Sequence, residues 1–401
     1  MREIIILISL ATLFGASSLV GLGNTDFPLD PNILRLRYIL VGASLLSLIL
    51  ISRFQILKLY KTRALPLLII WLSLSFILVI SGVINNDSIL VRDGFWMMIG
   101  VPSIFFGILP NLIQKNNYKQ IAWALLLGLI PYIVASVILH PITPSLYRGV
   151  FANSNQMGSA CASISAGLFI LLTTALHRKK PMSQILLLVA LLVGNLLLIL
   201  MANSRTSLLA FASMSSISFI RLVVKPKELV RVVVFSIAAA IPISLFFDKQ
   251  IYLLWRDIEQ GIIAKIGEAD SLSGRGEIWS ETLKDINLFG HGSDYFETHF
   301  NIGGHNTIID ILGVSGILAA YLLIGLLVAS FLYAYDYLKL YKNEDSYALA
   351  PLLITTCFWI LAMGESMFGS LGTAMTLAYM LSLGIVVQRL NKGEVRTESI
   401  I

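Results

Sequence analysis

The segment ILLLVALLVGNLLLILMA, residues 185–202, decides the fold class because it contains no charged side chain. A helix of about 20 apolar residues crosses the hydrocarbon core of a bilayer, so this segment predicts a transmembrane helix. Similar apolar runs occur on both sides of it, and together they predict about twelve spans. The runs lie at approximately 3–22, 38–52, 64–84, 94–112, 121–139, 156–176, 185–202, 207–224, 231–247, 307–335, 350–368 and 371–389.

The composition of the whole chain agrees with a membrane location. Of the 401 residues, 57% are apolar and 13% are charged, and the mean hydropathy is +0.82. Soluble domains carry about 25% charged residues, so a cytosolic enzyme, a disordered chain and a small disulfide-held domain are excluded. Cys161 and Cys357 lie inside apolar runs, where cysteine is a small core residue. The sequence therefore predicts an all-α integral membrane protein.

Lysine and arginine between the spans predict the orientation. If the N-terminus is placed in the cytoplasm, every cytoplasmic gap is basic, as at 53–63 and 178–180, in agreement with the positive-inside rule. We therefore expect both termini in the cytoplasm. The net charge of +6 follows from this orientation, and binding to nucleic acid is not needed to explain it.

The longest polar stretch divides the chain into three parts. Residues 1–247 hold nine predicted spans, residues 248–306 form an outer loop or cap, and residues 307–401 hold three spans and a short cytoplasmic tail. Within the cap, residues 248–267 have the pattern of an amphipathic helix at the membrane interface, and residues 273–286 again have helical spacing. A connection of this length in a compact protein is usually functional.

Polar motifs with one arginine each stand where the outer loops meet the spans. They are YRGVFANSNQ at 147–156, NSRTSLL at 203–209 and GRGEIW at 274–279, followed by GGHN at 303–306. Guanidinium groups that face one pocket repel one another unless an anion lies between them, and a diphosphate suits their planar donors. Arg148, Arg205 and Arg275 therefore predict a diphosphate site that needs no metal ion.

His305 is a candidate general base because it directly precedes the tenth predicted span. The dipole at a helix N-terminus keeps an imidazole neutral, as a base requires, and Asn306 is a candidate N-cap beside it. From the residues alone, a structural histidine and arginines that snorkel from span ends remain alternatives. Asp310 and Glu365, acids near apolar runs, are expected to pair with outer arginines. The remaining histidines lack the spacing of metal ligands, so no metal site is expected.

In this order, RGVFANSNQMG, SRTSLL, GRGEIW and HN-x9-G resemble the motifs of the O-antigen ligase and polymerase superfamily of membrane glycan transferases. The resemblance covers about 150–315 of the chain. It implies a helical fold of the GT-C type. It also implies transfer of a glycan from undecaprenyl diphosphate to an acceptor hydroxyl at the periplasmic face of the bacterial inner membrane, in the biosynthesis of lipopolysaccharide or another surface polysaccharide.

The resemblance also implies roles for individual residues. Arg205 and Arg275 would bind the diphosphate, Arg148 would belong to the same donor site, and His305 would activate the acceptor. Asn153, Asn155 and Asn306 would line the pocket. The implied partners are the lipid-linked donor, a lipid A-core or glycan acceptor, and membrane lipids, with no cofactor and no metal. Because the donor carries its own leaving group, an inverting, metal-independent transfer is expected.

The acceptor separates two alternatives within the family. Some ligases follow HN-x9-G with two residues, a second Gly and Thr-Pro, whereas here Gly316 is followed by ILAAY. A ligase acting on lipid A-core is favoured, and a polymerase of surface polysaccharide would use the same donor site. A secondary transporter is the alternative from another class. Transporters usually have repeated halves and ionisable groups near the midplane, and the sequence has neither pattern.

Overall fold

The computed structural model describes residues 2–23, 31–52, 63–112, 117–142, 146–223, 275–368 and 372–398, together with Arg256. These ranges are almost entirely helical, and an isolated bridge between Leu22 and Phe151 is the strand-like pairing found within them. The fourth helix includes π-helical turns at Trp96–Gly100 and Pro102–Ile108. The helices are α1 Arg2–Ser18, α2 Pro31–Ser52, α3 Leu65–Ile84, α4 Ser88–Leu112, α5 Asn117–Leu139, α6 Ser154–His177, α7 Met182–Ala202, α8 Arg205–Val223, α9 Arg275–Lys284, α10 Tyr295–Phe300, α11 Thr307–Tyr341, α12 Ala350–Ala362 and α13 Ala374–Glu398.

Eight of these helices are long and apolar enough to cross a membrane, which agrees with an integral membrane protein. They are α1, α2, α3, α4, α5, α6, α7 and α11. Three further predicted spans coincide with α8, α12 and α13. The predicted span at 231–247 and the predicted interfacial helix at 248–267 lie outside the described residues, so the count of about twelve stays a prediction.

Helix α6 lies at the centre of the described bundle. Its most apolar stretch is 94% buried, whereas the other candidate spans are no more than 56% buried. The sequence from Gly158 to Gly167 consists mainly of glycine, alanine and serine, and small residues of this kind let neighbouring helices approach closely in a membrane. Helices α5, α7, α8 and α12 all pack against α6.

Helix α11 is bent at Gly316, which divides it into an initial segment, 307–315, and a long span, 317–341. The backbone of Gly316 has φ 86° and ψ 179°, which is far from helical geometry. A Cβ atom at this position would clash with the backbone of Leu288 and Gly290. Residues 317–341 still extend for roughly 37 Å, enough to cross a hydrocarbon core of about 30 Å.

The loop at 285–294 fills the bend in α11. Its backbone supplies the hydrogen-bond partners that the interrupted helix lacks. The N–H groups of His291 and Gly292 donate to carbonyls of the bend at 2.9 and 3.1 Å. The N–H of Ile317 donates to Asn287 O at 3.0 Å. Because unsatisfied backbone groups are costly near the membrane, these hydrogen bonds make the bend and the loop mutually dependent.

The end of α3 holds the same loop from the opposite side. Ser81 Oγ donates to the carbonyl of Phe289 at 2.5 Å, and Asn85 Nδ2 donates to that carbonyl at 3.3 Å. The loop at 285–294 is therefore clamped between α3 and α11.

Asp87 adds a charged contact to this clamp. Its Oδ1 accepts hydrogen bonds from Ile89 N and Leu90 N and so caps α4, while its Oδ2 accepts one from Ser293 N at 2.6 Å. Burial alone would raise the pKa of this carboxyl, but the hydrogen bonds outweigh it and hold the pKa below its usual range. The Asp87 carboxylate, which makes both contacts, is therefore charged at neutral pH.

Replacing Gly316 tests whether the bend determines the stability of this region. Gly316→Ala should lower the free energy of unfolding by roughly 2 kcal/mol or more, because alanine fits neither the positive φ nor the space beside Gly290. The matched control is Gly325→Ala in the same helix, where the nearest atom to the new Cβ is 3.9 Å away. Thermal unfolding in detergent measures both variants. Equal melting temperatures for the two would contradict the account of the bend.

Candidate functional site

A short turn after α12, residues Met363–Glu365, is the centre of the candidate site. Its three carbonyls accept hydrogen bonds from three side chains: Asn306 Nδ2 donates to the first at 3.2 Å, Arg275 Nη1 to the second at 3.3 Å and Thr307 Oγ1 to the third at 2.8 Å. The start of α9 and the start of α11, which are distant in sequence, are thereby joined at one place. We call this segment the 363–365 turn.

Arg205 lies near the 363–365 turn because the next residue, Thr206, packs against that turn. It is the first residue of α8, two residues after Asn203, whose left-handed backbone (φ 52°) ends α7. The next residue, Thr206, lies so close to Gly364 that a Cβ on this glycine would clash with it. The side chain of Arg205 is exposed and stands at a helix N-terminus, where the helix dipole also favours an anion.

His305 faces the same turn from the start of α11. It has left-handed backbone geometry (φ 51°), which non-glycine residues rarely adopt and which is concentrated at functional sites. Its Nδ1 lies 3.7 Å from Glu365 Oε2, and about a third of its side chain (35%) is exposed. The distance exceeds that of a hydrogen bond, although catalytic pairs often tighten when substrate binds. The ring therefore stands between a carboxylate and solvent.

The peptide before His305 is fixed on both sides. Trp279 Nε1, from α9, donates to Gly304 O at 2.8 Å, and Gly304 N donates to Asp310 Oδ1, on α11, at 2.9 Å. Asn306 Oδ1 then accepts hydrogen bonds from the first N–H groups of α11, which confirms its predicted capping role. The position of the imidazole is thus set by two helices.

Within the described ranges neither Asp310 nor Glu365 pairs with an arginine, so the expected pairing is wrong. Asp310 accepts hydrogen bonds from Gly304 N and Ser366 Oγ, and the charged neighbour of Glu365 is His305. Side chains in the first turn of a helix point back toward its N-terminus, so the Asp310 carboxylate meets the polar groups of the preceding loop.

The motif at 147–156 lies beside the turn that carries Arg205. Tyr147 N donates to Met201 O, in the last turn of α7, at 3.0 Å. Arg148, the next residue, is half-buried there. The structure therefore brings Arg148 and Arg205 to the same end of the bundle.

The two predicted pocket asparagines of this motif lie at the start of α6. Asn153 is the N-cap of α6, and its Oδ1 accepts a hydrogen bond from Gln156 N at 2.9 Å. Asn155 follows in the first turn and is half-buried. The contacts of the described residues do not join either asparagine to His305, so their place in the pocket stays a prediction.

An aromatic cluster on α10 lies beside Gly304, the residue before His305. The Tyr295 hydroxyl donates to Asp285 Oδ2 at 3.2 Å, and its ring stacks on His291 with centroids 4.6 Å apart. Burial and the nearby Asp285 raise the pKa of the Tyr295 phenol above its usual value, so it remains a hydrogen-bond donor. His299 Nδ1 lies 2.9 Å from Tyr295 O. His291 and His299 thus have structural surroundings in the cap.

The charges around the 363–365 turn suit an anion better than a metal ion. In the ranges that the structure describes, no group of three or more His, Cys, Asp or Glu side chains is placed to hold a metal. Arg275 instead donates to the turn beside the His305–Glu365 pair, and Arg205 directly precedes Thr206, which packs on Gly364. Such an arrangement can neutralise an anion and accept a proton beside it.

Sequence reasoning missed the organising role of the 363–365 turn. The predicted span at 350–368 places these three residues in the membrane, whereas α12 ends at Ala362. The available signal in the sequence was the pair Gly364 and Glu365, which interrupts an apolar run. Glycine has no Cβ atom and so allows close packing, and glutamate carries a charge.

One comparison with known families identifies the domain. Residues 187–324 match the family profile described as O-antigen ligase, and the matched range includes Arg205, Arg275 and His305 but not Glu365. The comparison with curated proteins gives no match. The family profile confirms the resemblance predicted from the motifs. Residues 187–324, about a third of the chain, therefore match an O-antigen ligase domain, which supports the O-antigen ligase and polymerase superfamily.

Proposed function

We propose that the protein transfers an oligosaccharide or polysaccharide from undecaprenyl diphosphate to a sugar hydroxyl of lipid A-core, at the periplasmic face of the inner membrane. The observation that carries the proposal is the convergence of Arg275, His305 and the neighbour of Arg205 on the 363–365 turn. All three belong to the matched domain. A cationic site beside a histidine suits a reaction in which a diphosphate leaves and a hydroxyl loses its proton.

The arginines stabilise the leaving group in this proposal. A guanidinium has five N–H donors, and the hydrogen bond from Arg275 to Gly364 uses one of them, so the group keeps a fixed orientation while it presents others to the diphosphate. Arg205 adds its charge and the N-terminus of α8, and Arg148 lies on the same side. Negative charge grows on the diphosphate as its bond to the sugar breaks, and the arginines lower the energy of that state without a divalent ion.

His305 is the base in this proposal, and Glu365 positions it. A carboxylate beside Nδ1 favours the tautomer with its proton on Nδ1, which leaves Nε2 to accept a proton. The acceptor oxygen attacks C1 of the first donor sugar and its proton passes to Nε2. The bond from C1 to the diphosphate oxygen breaks, and its electron pair leaves with undecaprenyl diphosphate. A single displacement of this kind inverts C1.

The positive-inside pattern supports the periplasmic side for the site. With both termini in the cytoplasm, the loops that carry Arg148, Arg205 and His305 all face outward. A lipid-linked donor reaches this surface from within the bilayer. The acceptor, lipid A-core, reaches it from the same leaflet.

A transfer assay with purified protein tests the proposed function. With an undecaprenyl-diphosphate-linked oligosaccharide and lipid A-core, and without added metal, we expect glycan to move onto lipid A-core with inversion at C1. Chelator should leave the rate unchanged, since the arginines neutralise the diphosphate. A ladder that grows on the lipid carrier would identify a polymerase instead. Transfer that chelator abolishes and magnesium restores would contradict the metal-independent mechanism.

The donor site is tested by removing one positive charge. Arg275→Gln should lower kcat/KM for the donor roughly 10- to 100-fold, because a charged hydrogen bond to the diphosphate is lost. The matched control is Arg92→Gln, an arginine on α4 whose side chain is 70% exposed and pairs with Asp93. The control should transfer at the rate of the unmodified protein. Equal losses in both variants would argue against a specific role for Arg275.

The base assignment is tested at His305 and at its partner. His305→Ala should lower kcat roughly 10²- to 10⁴-fold with an unchanged melting temperature. His299 is another histidine near the site, and His299→Ala should change kcat little. Glu365→Gln should lower kcat by less than His305→Ala does, and it should leave the KM for the donor unchanged. Full turnover of His305→Ala would refute the assignment.

A further inference from the structure

One charged side chain is buried in the ranges that the structure describes, and the proposed mechanism does not use it. This side chain is Arg37, on α2, and the residue is 8% exposed. Arginine is almost never fully buried unless an acid pairs with it. The ion pairs among the described residues all belong to other side chains. Within those residues, Arg37 is therefore a buried positive charge without a counter-charge.

The hydrogen bonding of Arg37 leaves most of its donors unused. Its Nη2 donates to Gly372 O at 3.0 Å, whereas its Nε is buried and has no partner in the described part of the chain. A guanidinium has five N–H groups, so one carbonyl satisfies a small part of it. An arginine that snorkels would extend its guanidinium into water, and burial shows that Arg37 does not. Buried donors of this kind are rare in folded proteins and call for a partner.

The start of α13 adds positive potential at the same place. Gly372, the carbonyl partner of Arg37, has positive φ (57°) and lies two residues before α13. The first N–H of α13, at Ala374, donates to Ser18 Oγ of α1 at 3.2 Å, and α2 and α13 both pack against α1. Because the N-terminus of a helix carries a partial positive charge, Arg37 and α13 concentrate positive charge where these three helices meet.

The predicted orientation puts Arg37 at the depth of the lipid headgroups. Arg37 lies in the first turn of the candidate span that begins at Arg35. This end of α2 faces outward if both termini are cytoplasmic. The adjacent residues Leu36, Tyr38 and Ile39 are exposed, as expected of a surface that faces lipid, and tyrosine is frequent at the interface. A phosphate on a lipid of the outer-side leaflet therefore lies at the right level for the guanidinium.

A series of hydrogen bonds connects the start of α13 to the candidate site. Thr376 Oγ1, in the first turn of α13, donates to Met367 O at 3.0 Å, and Met367 N donates to Thr307 Oγ1 at 3.0 Å. Thr307 Oγ1 in turn donates to Glu365 O, in the 363–365 turn. Arg37 and the candidate site therefore both contact the connection between α12 and α13, one at its end and the other at its beginning.

We propose that Arg37 binds a phosphate group of the lipid acceptor. The inference rests on the proposed function, in which two anionic lipids meet at one outer surface. The diphosphate of the donor is assigned to Arg205 and Arg275, so Arg37 is available to the acceptor. Lipid A carries phosphate groups on its sugars at the membrane surface, which matches a guanidinium at headgroup depth. The planar guanidinium forms parallel hydrogen bonds with phosphate oxygens, and these supply partners for donors that the protein leaves unused.

Methionine at position 37 separates a binding role from a structural one. Replacing a buried, uncompensated charge with an apolar side chain of similar length is often neutral or stabilising. Arg37→Met should therefore keep or raise the melting temperature of the protein without ligand, whereas loss of a structural arginine would lower it. Arg35→Met is the matched control, because Arg35 lies two residues earlier on α2 and is exposed.

The experiment measures binding and thermal unfolding in neutral detergent with three lipids: lipid A, lipid A without its phosphates, and phosphatidylglycerol. Lipid A should bind the unmodified protein and Arg35→Met and raise the melting temperature of both. For Arg37→Met we expect the affinity for lipid A to fall roughly tenfold or more. The other two lipids should bind all variants weakly. If Arg37→Met is not recovered folded, Arg37→Lys, which keeps the charge but not the planar donors, replaces it with a smaller loss.

Several results would overturn the proposal for Arg37. Unchanged affinity of Arg37→Met for lipid A would overturn it, above all with a lower melting temperature, because Arg37 would then only support the fold. Equal losses in Arg35→Met, or equal binding of lipid A without phosphates, would also overturn it. Equal binding of phosphatidylglycerol would identify an ordinary phospholipid site instead. Because binding needs no glycan transfer, failure of the proposed function appears separately, as absence of transfer by the unmodified protein.

Discussion

The backbone contact between Gly290 and Gly316 is the constraint on which the arrangement of the loop at 285–294 depends. Neither position has room for a Cβ atom, and both have positive φ. The loop at 285–294 can therefore enter the bend of α11 and form hydrogen bonds with the backbone groups that the bend exposes. Without this close approach, polar backbone would be left unsatisfied where a bilayer offers few partners. One contact thus determines both the shape of a membrane helix and the path of the loop before it.

The bend also explains the spacing of the HN-x9-G motif. The segment 307–315 is a short helix held at its end by Gly316 and at its start by Asn306, which caps it and also donates to the 363–365 turn. His305 therefore has little freedom of position, and its partner Glu365 lies on the turn to which the cap is bonded. In the proposed mechanism, this rigidity keeps the base aligned with the donor.

The sequence predicted the class of fold and the order of the candidate residues, but not the element that joins them. Charge-free runs such as 185–202 identify membrane helices because the bilayer imposes a length and a composition on them. The motif at Arg205 and the motif at His305 were recognisable as local patterns. The turn at 363–365 was not, because its role depends on carbonyl groups, which every residue has, and on the close packing of Gly364. The partner of Glu365 was also missed, since pairing between charges that are distant in the chain depends on how the helices pack.

The most direct measurement is an experimental structure of the protein with an undecaprenyl-diphosphate-linked oligosaccharide bound, in lipid rather than detergent. The account predicts the diphosphate in contact with Arg205 and Arg275, His305 Nε2 facing the C1 atom of the first sugar, and Glu365 on the opposite side of the imidazole. A diphosphate bound away from these arginines, or His305 turned away from the sugar with its contact to Glu365 lost, would contradict it.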